Sequence, residues 1–207
     1  MALDPRAVRL YHITDVTNLP GILAEGCLWS DSAMAARSPT VIGYSHIKRR
    51  RLTEYRVPCC GGRFVGEFVP FFYCPRPPML LAANSGRTER PAGCQRTIVH
   101  LVTTVHAVMG LGREWAISNV SAATDYAIFA SSLDALDDLD WSAIRADYWQ
   151  GRQTRKAAEF LVADACDWGV FDLIGCHNRE VKDEVEGLLA GAGHRPTVRV
   201  ERGWYYP

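Results

Sequence analysis

Three separated segments each set a polar residue inside an apolar run: Tyr11-His12-Ile13-Thr14, the stretch from Phe68 to Leu80, and Ala157-Ala158-Glu159-Phe160-Leu161-Val162. Apolar runs of this kind read as buried strands. A polar group inside such a strand must be hydrogen-bonded or functional, because burying it unpaired costs roughly 1–3 kcal/mol. The three segments therefore read as parts of one site.

The rest of the pattern supplies the frame. Val8–Ile13 reads as a first strand. Val16, Leu19, Ile22 and Leu23 follow helical spacing, Thr14 or Asp15 can cap that helix, and Gly26 can end it. Cys27-Leu28-Trp29 forms a short strand, and residues 31 to 43 lack periodicity. Tyr44 to Tyr55 reads as a helix carrying Lys48, Arg49, Arg50 and Arg51. After the turn at Pro58–Gly62, Phe64 to Cys74 is strand-like, and Pro70 predicts an edge or a bulge there. A short helix over 79–84 follows, then strands over 97–105 and 115–118. Residues 122–150 read as helix or loop. Further strands are expected over 159–162, 173–176 and 198–205, with an amphipathic helix over 179–189. Strands and helices do not alternate regularly, which favours α+β with antiparallel pairing over a doubly wound sheet.

At 207 residues the chain is expected to form one domain spanning 1–207. The formal net charge is zero, so any nucleic-acid surface must be local. No apolar stretch is long enough to span a bilayer, and no apolar signal core follows Met1, so a cytoplasmic protein is expected. The seven cysteines are irregularly spaced and include no Cys-x-x-Cys, which argues against a disulfide framework or a zinc site; no metal is expected.

Glu159 has two readings. It is either a strand-edge carboxylate paired with Arg155 or Lys156, or a carboxylate held rigidly against a sugar to stabilise positive charge developing on a ribose. His12 is either a satisfied core histidine or a site residue. A two-histidine phosphoesterase fails on inspection: His12-Ile13-Thr14 supplies one His-x-Thr pair and no other histidine supplies a second. In the basic run, Lys48 and Arg51 share one helix side while Arg49 and Arg50 point elsewhere, and the sequence does not choose the arginine that turns inward. Arg76 stands between prolines that fix its backbone. There is no P-loop and no Gly-x-Gly-x-x-Gly, so a dinucleotide would be held by other means.

In order along the chain, Tyr11–Thr14, Asn18-Leu19, Ile22-Leu23 with Gly26, Tyr44, His46-Ile47, Arg50-Arg51, Gly61-Gly62, Val69–Tyr73, Pro75-Arg76, Pro78–Leu80, Tyr148-Trp149, Ala157–Val162 and Trp204–Tyr206 resemble the DarT-type DNA ADP-ribosyltransferase toxins, in particular the thymidine-modifying branch. The resemblance implies an ADP-ribosyltransferase-like fold of two facing, mostly antiparallel β-sheets with peripheral helices and NAD in the cleft. It implies transfer of ADP-ribose to N3 of thymine in single-stranded DNA, by a monomer paired with a macrodomain antitoxin of the DarG type.

Carried over by position, the resemblance makes Glu159 and Arg51 catalytic. It assigns His12, Thr14, Asn18, Gly21, Leu28, Tyr44, Arg51 and Phe71 to NAD, and Tyr148, Trp149, Arg152, Arg155, Lys48 and Arg76 to DNA. Residues 32–44 would fold over NAD, and 118–153 would face the substrate. The chain departs from the family at Pro77, where Ser is common. Arg51 or Glu159 would assist loss of the base proton. The same fold could instead modify guanine, RNA, protein or water, or survive as a non-catalytic nucleic-acid-binding module. Acceptor assays separate these readings.

Overall fold

A computed structural model describes residues 3–34 and 39–207. In chain order the elements are β1 (Arg9–Asp15), α1 (Leu19–Glu25), β2 (Cys27–Trp29), α2 (Ser45–Thr53), β3 (Arg56–Val57), β4 (Arg63–Phe64), β5 (Phe68–Phe72), α3 (Pro78–Asn84), β6 (Ile98–Thr104), α4 (Val105–Met109), β7 (Trp115–Ser118), β8 (Phe129–Ala130), α5 (Trp141–Arg145), α6 (Gln153–Lys156), β9 (Glu159–Ala163), β10 (Ala165–Asp167), β11 (Leu173–Cys176), α7 (Arg179–Leu189) and β12 (Thr197–Val200). Asn18 precedes α1, and Pro20 occupies its first turn, where a missing N–H costs nothing. Gly26 ends that helix in the left-handed region at φ 70°, which favours glycine.

Eight strands pair in the order β12-β11-β6-β1-β5-β9-β7-β8. Every neighbouring pair is antiparallel except β11 and β12, which are parallel because α7 crosses over between them. The sheet divides into two four-stranded halves. β1 pairs with β6 along its whole length, from Arg9 to Asp15, but meets β5 only at Tyr11 and Phe72. This is the mixed, mostly antiparallel α+β architecture expected, with its two halves joined at one register pair.

Pro70 explains the junction and corrects an expectation. It does not lie at an edge: β5 is a central strand, and Pro70 faces Leu161 on β9. A central proline is tolerated because β1 has already parted from β5 there, so no ladder bond is lost. The Pro70 carbonyl is taken instead by His12 Nδ1 at 2.9 Å. The expected strand over 64–74 is also interrupted. Residues Val65–Glu67 form a 3₁₀ turn, and Glu67 Oε2 accepts the Phe64 N–H at 2.6 Å. The expected strand 198–205 stops at Val200, because its partner β11 ends at Cys176; Arg202–Trp204 then curl into a 3₁₀ turn.

The largest buried cluster packs Leu10, Val69, Phe71, Leu101, Phe160 and Ile174 against α7, whose Val181, Val185 and Leu189 face inward. This apolar stripe was legible as amphipathic spacing. A second cluster, with Phe68, Leu161 and Ala163, lies under the β3–β4 hairpin and leads to the start of β9, where Glu159 stands.

Candidate active site

Glu159 opens β9 between two partners: it faces Phe72 on β5 and Ser118 on β7. Its backbone N–H donates to Ser118 Oγ at 3.0 Å, and Ser118 Oγ donates to Val120 O at 2.7 Å. Glu159 as a whole is only 2 % exposed. A carboxylate at that depth needs charge and hydrogen bonds around it. Arg51 Nη1 supplies both, at 2.9 Å from Oε2 and 3.1 Å from Oε1. The Ala122 N–H donates to Oε1 at 2.9 Å. Glu159 is therefore not paired with Arg155 or Lys156. Arg155 reaches Asp140 at 3.3 Å, and Lys156 donates to the carbonyls of Ile144 and Ala146, each at 2.8 Å.

The structure also chooses among the basic run. Arg51 turns inward from α2. Arg50 turns out to Glu54 at 2.6 Å and lies over the Tyr55 ring, and Arg49 is exposed. The spacing that puts Lys48 on the same side as Arg51 holds, and Lys48 pairs with Asp31 at 3.0 Å. Arg51 Nη2 is buried and has no hydrogen-bond partner among the described residues. It is thus a charged donor held beside Glu159 with a bond still to give.

His12 stands on β1 across β5 from Glu159, and no hydrogen bond joins it to Glu159 or Arg51 among the described residues. It packs edge-on to Phe71 with ring centroids 5.8 Å apart. Burial holds its pKa below the ordinary histidine value, so the ring is neutral at pH 7. The Pro70 carbonyl can only accept, so Nδ1 carries the proton and Nε2 is left as an acceptor.

Thr14 Oγ1 accepts from Asn18 Nδ2 at 3.0 Å. Asn18 also clamps Thr40, donating to its carbonyl at 2.9 Å and accepting its N–H at 2.8 Å. Asn18 therefore pins the segment beyond residue 38 against β1. The expectation that 32–44 folds over NAD falls partly on residues 35–38, outside the described residues. Tyr44 precedes α2 and packs on His46 at 5.3 Å. Leu28 is buried in β2, and Gly21 is exposed on α1.

The residues expected to meet DNA gather in a different zone. Arg76 pairs with Asp147 and approaches the Tyr206 ring at 5.9 Å. Tyr206 in turn donates to the Arg76 carbonyl at 2.8 Å. Tyr148 is 77 % exposed, and Trp149 stands near Tyr206. Arg152 reaches Ser142 Oγ at 3.3 Å and the Tyr148 carbonyl at 3.4 Å. Lys48 lies apart from this group, on α2.

Two contributors to the site were missed from the sequence. Ser118 ends the apolar run Trp115–Ser118 and carries the same signal as Glu159, a polar residue in a buried strand. The Ala122 donor is a backbone N–H and leaves no trace in side-chain pattern. Among the described residues, no group of three or more His, Cys, Asp or Glu is placed to hold a metal.

Residues 11–206 match the family described as "ssDNA thymidine ADP-ribosyltransferase, DarT". The chain is 38% identical over 206 residues to a DNA ADP-ribosyl transferase of Thermus aquaticus, covering 98% of this chain and 90% of that one. It is 28% identical over 208 residues to a DNA ADP-ribosyl transferase of Mycobacterium tuberculosis, covering 95% and 88%. The structure of Thermus sp. 2.9 DarT in complex with ADP-ribosylated ssDNA matches with a TM-score of 0.89 at 35% identity, over 100% of this chain and 99% of that one. A complex of Thermus sp. 2.9 DarT with NAD+ matches at 0.86 and 34%, over 100% of both. This chain belongs to the DarT family of single-stranded-DNA thymidine ADP-ribosyltransferases.

Proposed function

We propose that this chain transfers ADP-ribose from NAD to N3 of a thymine in single-stranded DNA and releases nicotinamide. The observation that carries the reading is the buried Glu159 carboxylate, held by Arg51 and by the Ala122 N–H at the head of β9. Family membership and the NAD+ and ADP-ribosylated ssDNA bound to Thermus sp. 2.9 DarT support the two substrates.

NAD supplies the ADP-ribosyl group when its bond to nicotinamide breaks. The residues present suit such a group: a buried carboxylate, a neutral imidazole whose Nε2 is an acceptor, and a guanidinium nitrogen without a partner among the described residues. Glu159 faces the positive charge that builds on the ribose as nicotinamide leaves. Arg51 pairs with Glu159 and fixes its direction. The Arg51 guanidinium has donors and no acceptor. Glu159 is therefore the group that takes the thymine N3 proton as the new N–C bond forms. The base enters from a single strand, because N3 is covered in a duplex.

We further read residues 1–207 as one ADP-ribosyltransferase domain that acts as a monomeric cytoplasmic toxin opposed by a macrodomain antitoxin. No helix among the described residues is long and apolar enough to cross a membrane, which accords with that placement.

Mass spectrometry of a thymine-containing single-stranded oligonucleotide, incubated with NAD and either the parent or Glu159→Gln, tests the reading. One added ADP-ribose with the parent alone is expected. Free nicotinamide without an adduct would move the acceptor elsewhere, and neither product would leave a binding module.

A further inference from the structure

Asp15 ends β1, beside Thr14, and is 1 % exposed. Four donors converge on its carboxylate. Oδ1 accepts the Thr17 N–H at 3.1 Å and the Thr17 hydroxyl at 2.7 Å. Oδ2 accepts the Thr97 hydroxyl at 2.7 Å, just before β6, and Arg90 Nη2, from the loop after α3. That loop is closed on itself, with the Gly93 N–H on the Asn84 carbonyl at 2.8 Å. Burial alone would raise the Asp15 pKa, but the bonds from Thr17 and Thr97 and the charge of Arg90 hold it below the ordinary carboxylate value. Asp15 is therefore an anion at pH 7 and can only accept.

This fixes the direction of the next bond. A hydroxyl has one proton, and Thr17 gives its own to Asp15. Thr17 Oγ1 is then the acceptor in its 2.9 Å contact with Thr40 Oγ1, and Thr40 is the donor. Asn18 takes the Thr40 N–H and carbonyl. Every polar group of Thr40 is thus bonded to residue 17 or 18. Two residues on, Ile42 is buried in a cluster with Ile13 and Phe72. The run from Thr40 leads to Tyr44 and then to α2, which carries Arg51. Ile42 keeps its own hold on the core, so cutting the link at Thr40 frees the start of this run without unfolding the chain.

We propose that Asp15 is a positioning residue for NAD, acting through Thr17 on Thr40. The proposal rests on the reading that residues 32–44 fold over NAD. Asn18 holds the backbone at Thr40, and the Asp15–Thr17 pair holds its side chain. Together they order the segment in advance, so less ordering is left for NAD to impose on binding.

Calorimetric titration with NAD, without DNA, tests this on Thr17→Val, Thr17→Ser, Thr40→Val, the Thr17→Val/Thr40→Val double variant and Asp15→Asn. Thr17→Val keeps the N–H bond to Asp15 and nearly the same shape, and loses only the hydroxyl. Its NAD affinity should fall about threefold, within the range of one lost hydrogen bond, and Thr17→Ser should match the parent. Thr40→Val should show the same loss, and the double variant should be no weaker than either single one, because the same bond is removed in each. The melting temperature of Thr17→Val should drop by no more than about 4 °C, and kcat for nicotinamide release should stay within a factor of about two. Asp15→Asn offers one side-chain oxygen where four donors converge. It should weaken NAD binding at least as much and lose stability as well; the Thr17 variants decide the case if it fails to fold.

Parent-like NAD affinity in Thr17→Val overturns the proposal, as does an equal loss in Thr17→Ser. Losses in Thr17→Val and Thr40→Val that add in full in the double variant overturn it too, since Thr17 would then act elsewhere. Mass spectrometry of the oligonucleotide reads the transfer separately. The expected affinity pattern in a parent that forms no DNA adduct supports the positioning role and removes the transfer reading.

Discussion

Arg51 Nη1 lies 2.9 Å from Glu159 Oε2, joining residues 108 apart in sequence across the junction of α2 and β9. Both side chains are shielded, at 11 % and 3 % exposure. A shielded pair of this kind adds little net stability, but removing one partner strands the other. Arg51→Ala should therefore destabilise the fold by roughly 3 kcal/mol and abolish nicotinamide release. Arg50→Ala, which loses half-exposed contacts with Glu54, Asp125 and the Tyr55 ring, should cost no more than about 1 kcal/mol and retain activity. Urea denaturation alongside a nicotinamide assay reads both. The reverse ranking of the two variants would remove Arg51 from the site.

Ser118 is the next link inward. Its hydroxyl accepts the Glu159 N–H and donates to the Val120 carbonyl, so it fixes both the head of β9 and the loop that carries Ala122. Ser118→Ala leaves two buried backbone groups short of a partner and should cost about 1–3 kcal/mol. It should also lower kcat more than it raises KM for NAD, because the carboxylate's aim is disturbed. An unchanged kcat with lowered stability would confine Ser118 to a structural role.

Much of this site was legible in the sequence. Glu159 stood out because a carboxylate at the head of Phe160-Leu161-Val162 has nowhere polar to go. The helix reading put Lys48 and Arg51 on one side, and that side does face the protein. Periodicity fixes relative direction along a helix, but not how the helix is rotated against the sheet, so Arg51 could not be separated from Arg49 and Arg50. Pro70 misled for a related reason. A missing N–H excludes a laddered neighbour on one side only, and the sequence cannot show that β1 parts from β5 at that point. The reading that paired Glu159 with Arg155 or Lys156 let nearness in sequence stand in for nearness in space; the partner is Arg51. The Ala122 donor left no signal at all, since every residue but proline has an N–H.

Two histidines, one buried and one half-buried, make stability depend on pH. His100 is fully buried between the Pro75 carbonyl, at 2.7 Å, and the Tyr205 hydroxyl, at 3.2 Å, and burial pulls its pKa down to about 4. Burial lowers His12 as well. In the unfolded chain both return to about 6.5. Below pH 6.5 the unfolded chain takes up protons that the folded chain refuses, so stability falls as pH falls. The loss should approach 1.4 kcal/mol per pH unit for each histidine until its folded pKa is passed, and the contribution should be flat above about pH 7. Urea midpoints at pH 7.5, 6 and 5 measure it. His100→Gln should give a shallower slope over that window, and an equal slope would refute the assignment.

Gly175 is a packing requirement. Its Cα hydrogens face the Trp204 ring, and a Cβ built there would overlap the ring carbons. The Trp204 ring is also held edge-on by Tyr11 at 5.4 Å and His100 at 5.5 Å, so it cannot swing aside freely. Gly175→Ala should cost about 1–3 kcal/mol through overpacking. Calorimetric melting checks it. A melting temperature equal to the parent's would mean that the 3₁₀ turn at Arg202–Trp204 yields at little cost.

Asn18 anchors the segment proposed to fold over NAD. Its amide satisfies both backbone groups of Thr40 and also reaches Thr14 Oγ1, so one side chain joins β1 to the segment that begins at Pro39. Asn18→Ala removes all three bonds from a partly buried position. The segment would lose its attachment while Glu159 and Arg51 keep theirs. KM for NAD should rise about tenfold, corresponding to the roughly 1.4 kcal/mol needed to re-order the loop on binding, with kcat within a factor of about two. Asn18→Asp keeps an acceptor for the Thr40 N–H but loses the donor to Thr14 and to the Thr40 carbonyl, and should fall between the parent and Asn18→Ala. Steady-state nicotinamide release across NAD concentrations separates the two parameters. A drop in kcat with KM unchanged would mean that Asn18 acts on the reacting centre itself rather than on the loop beside it.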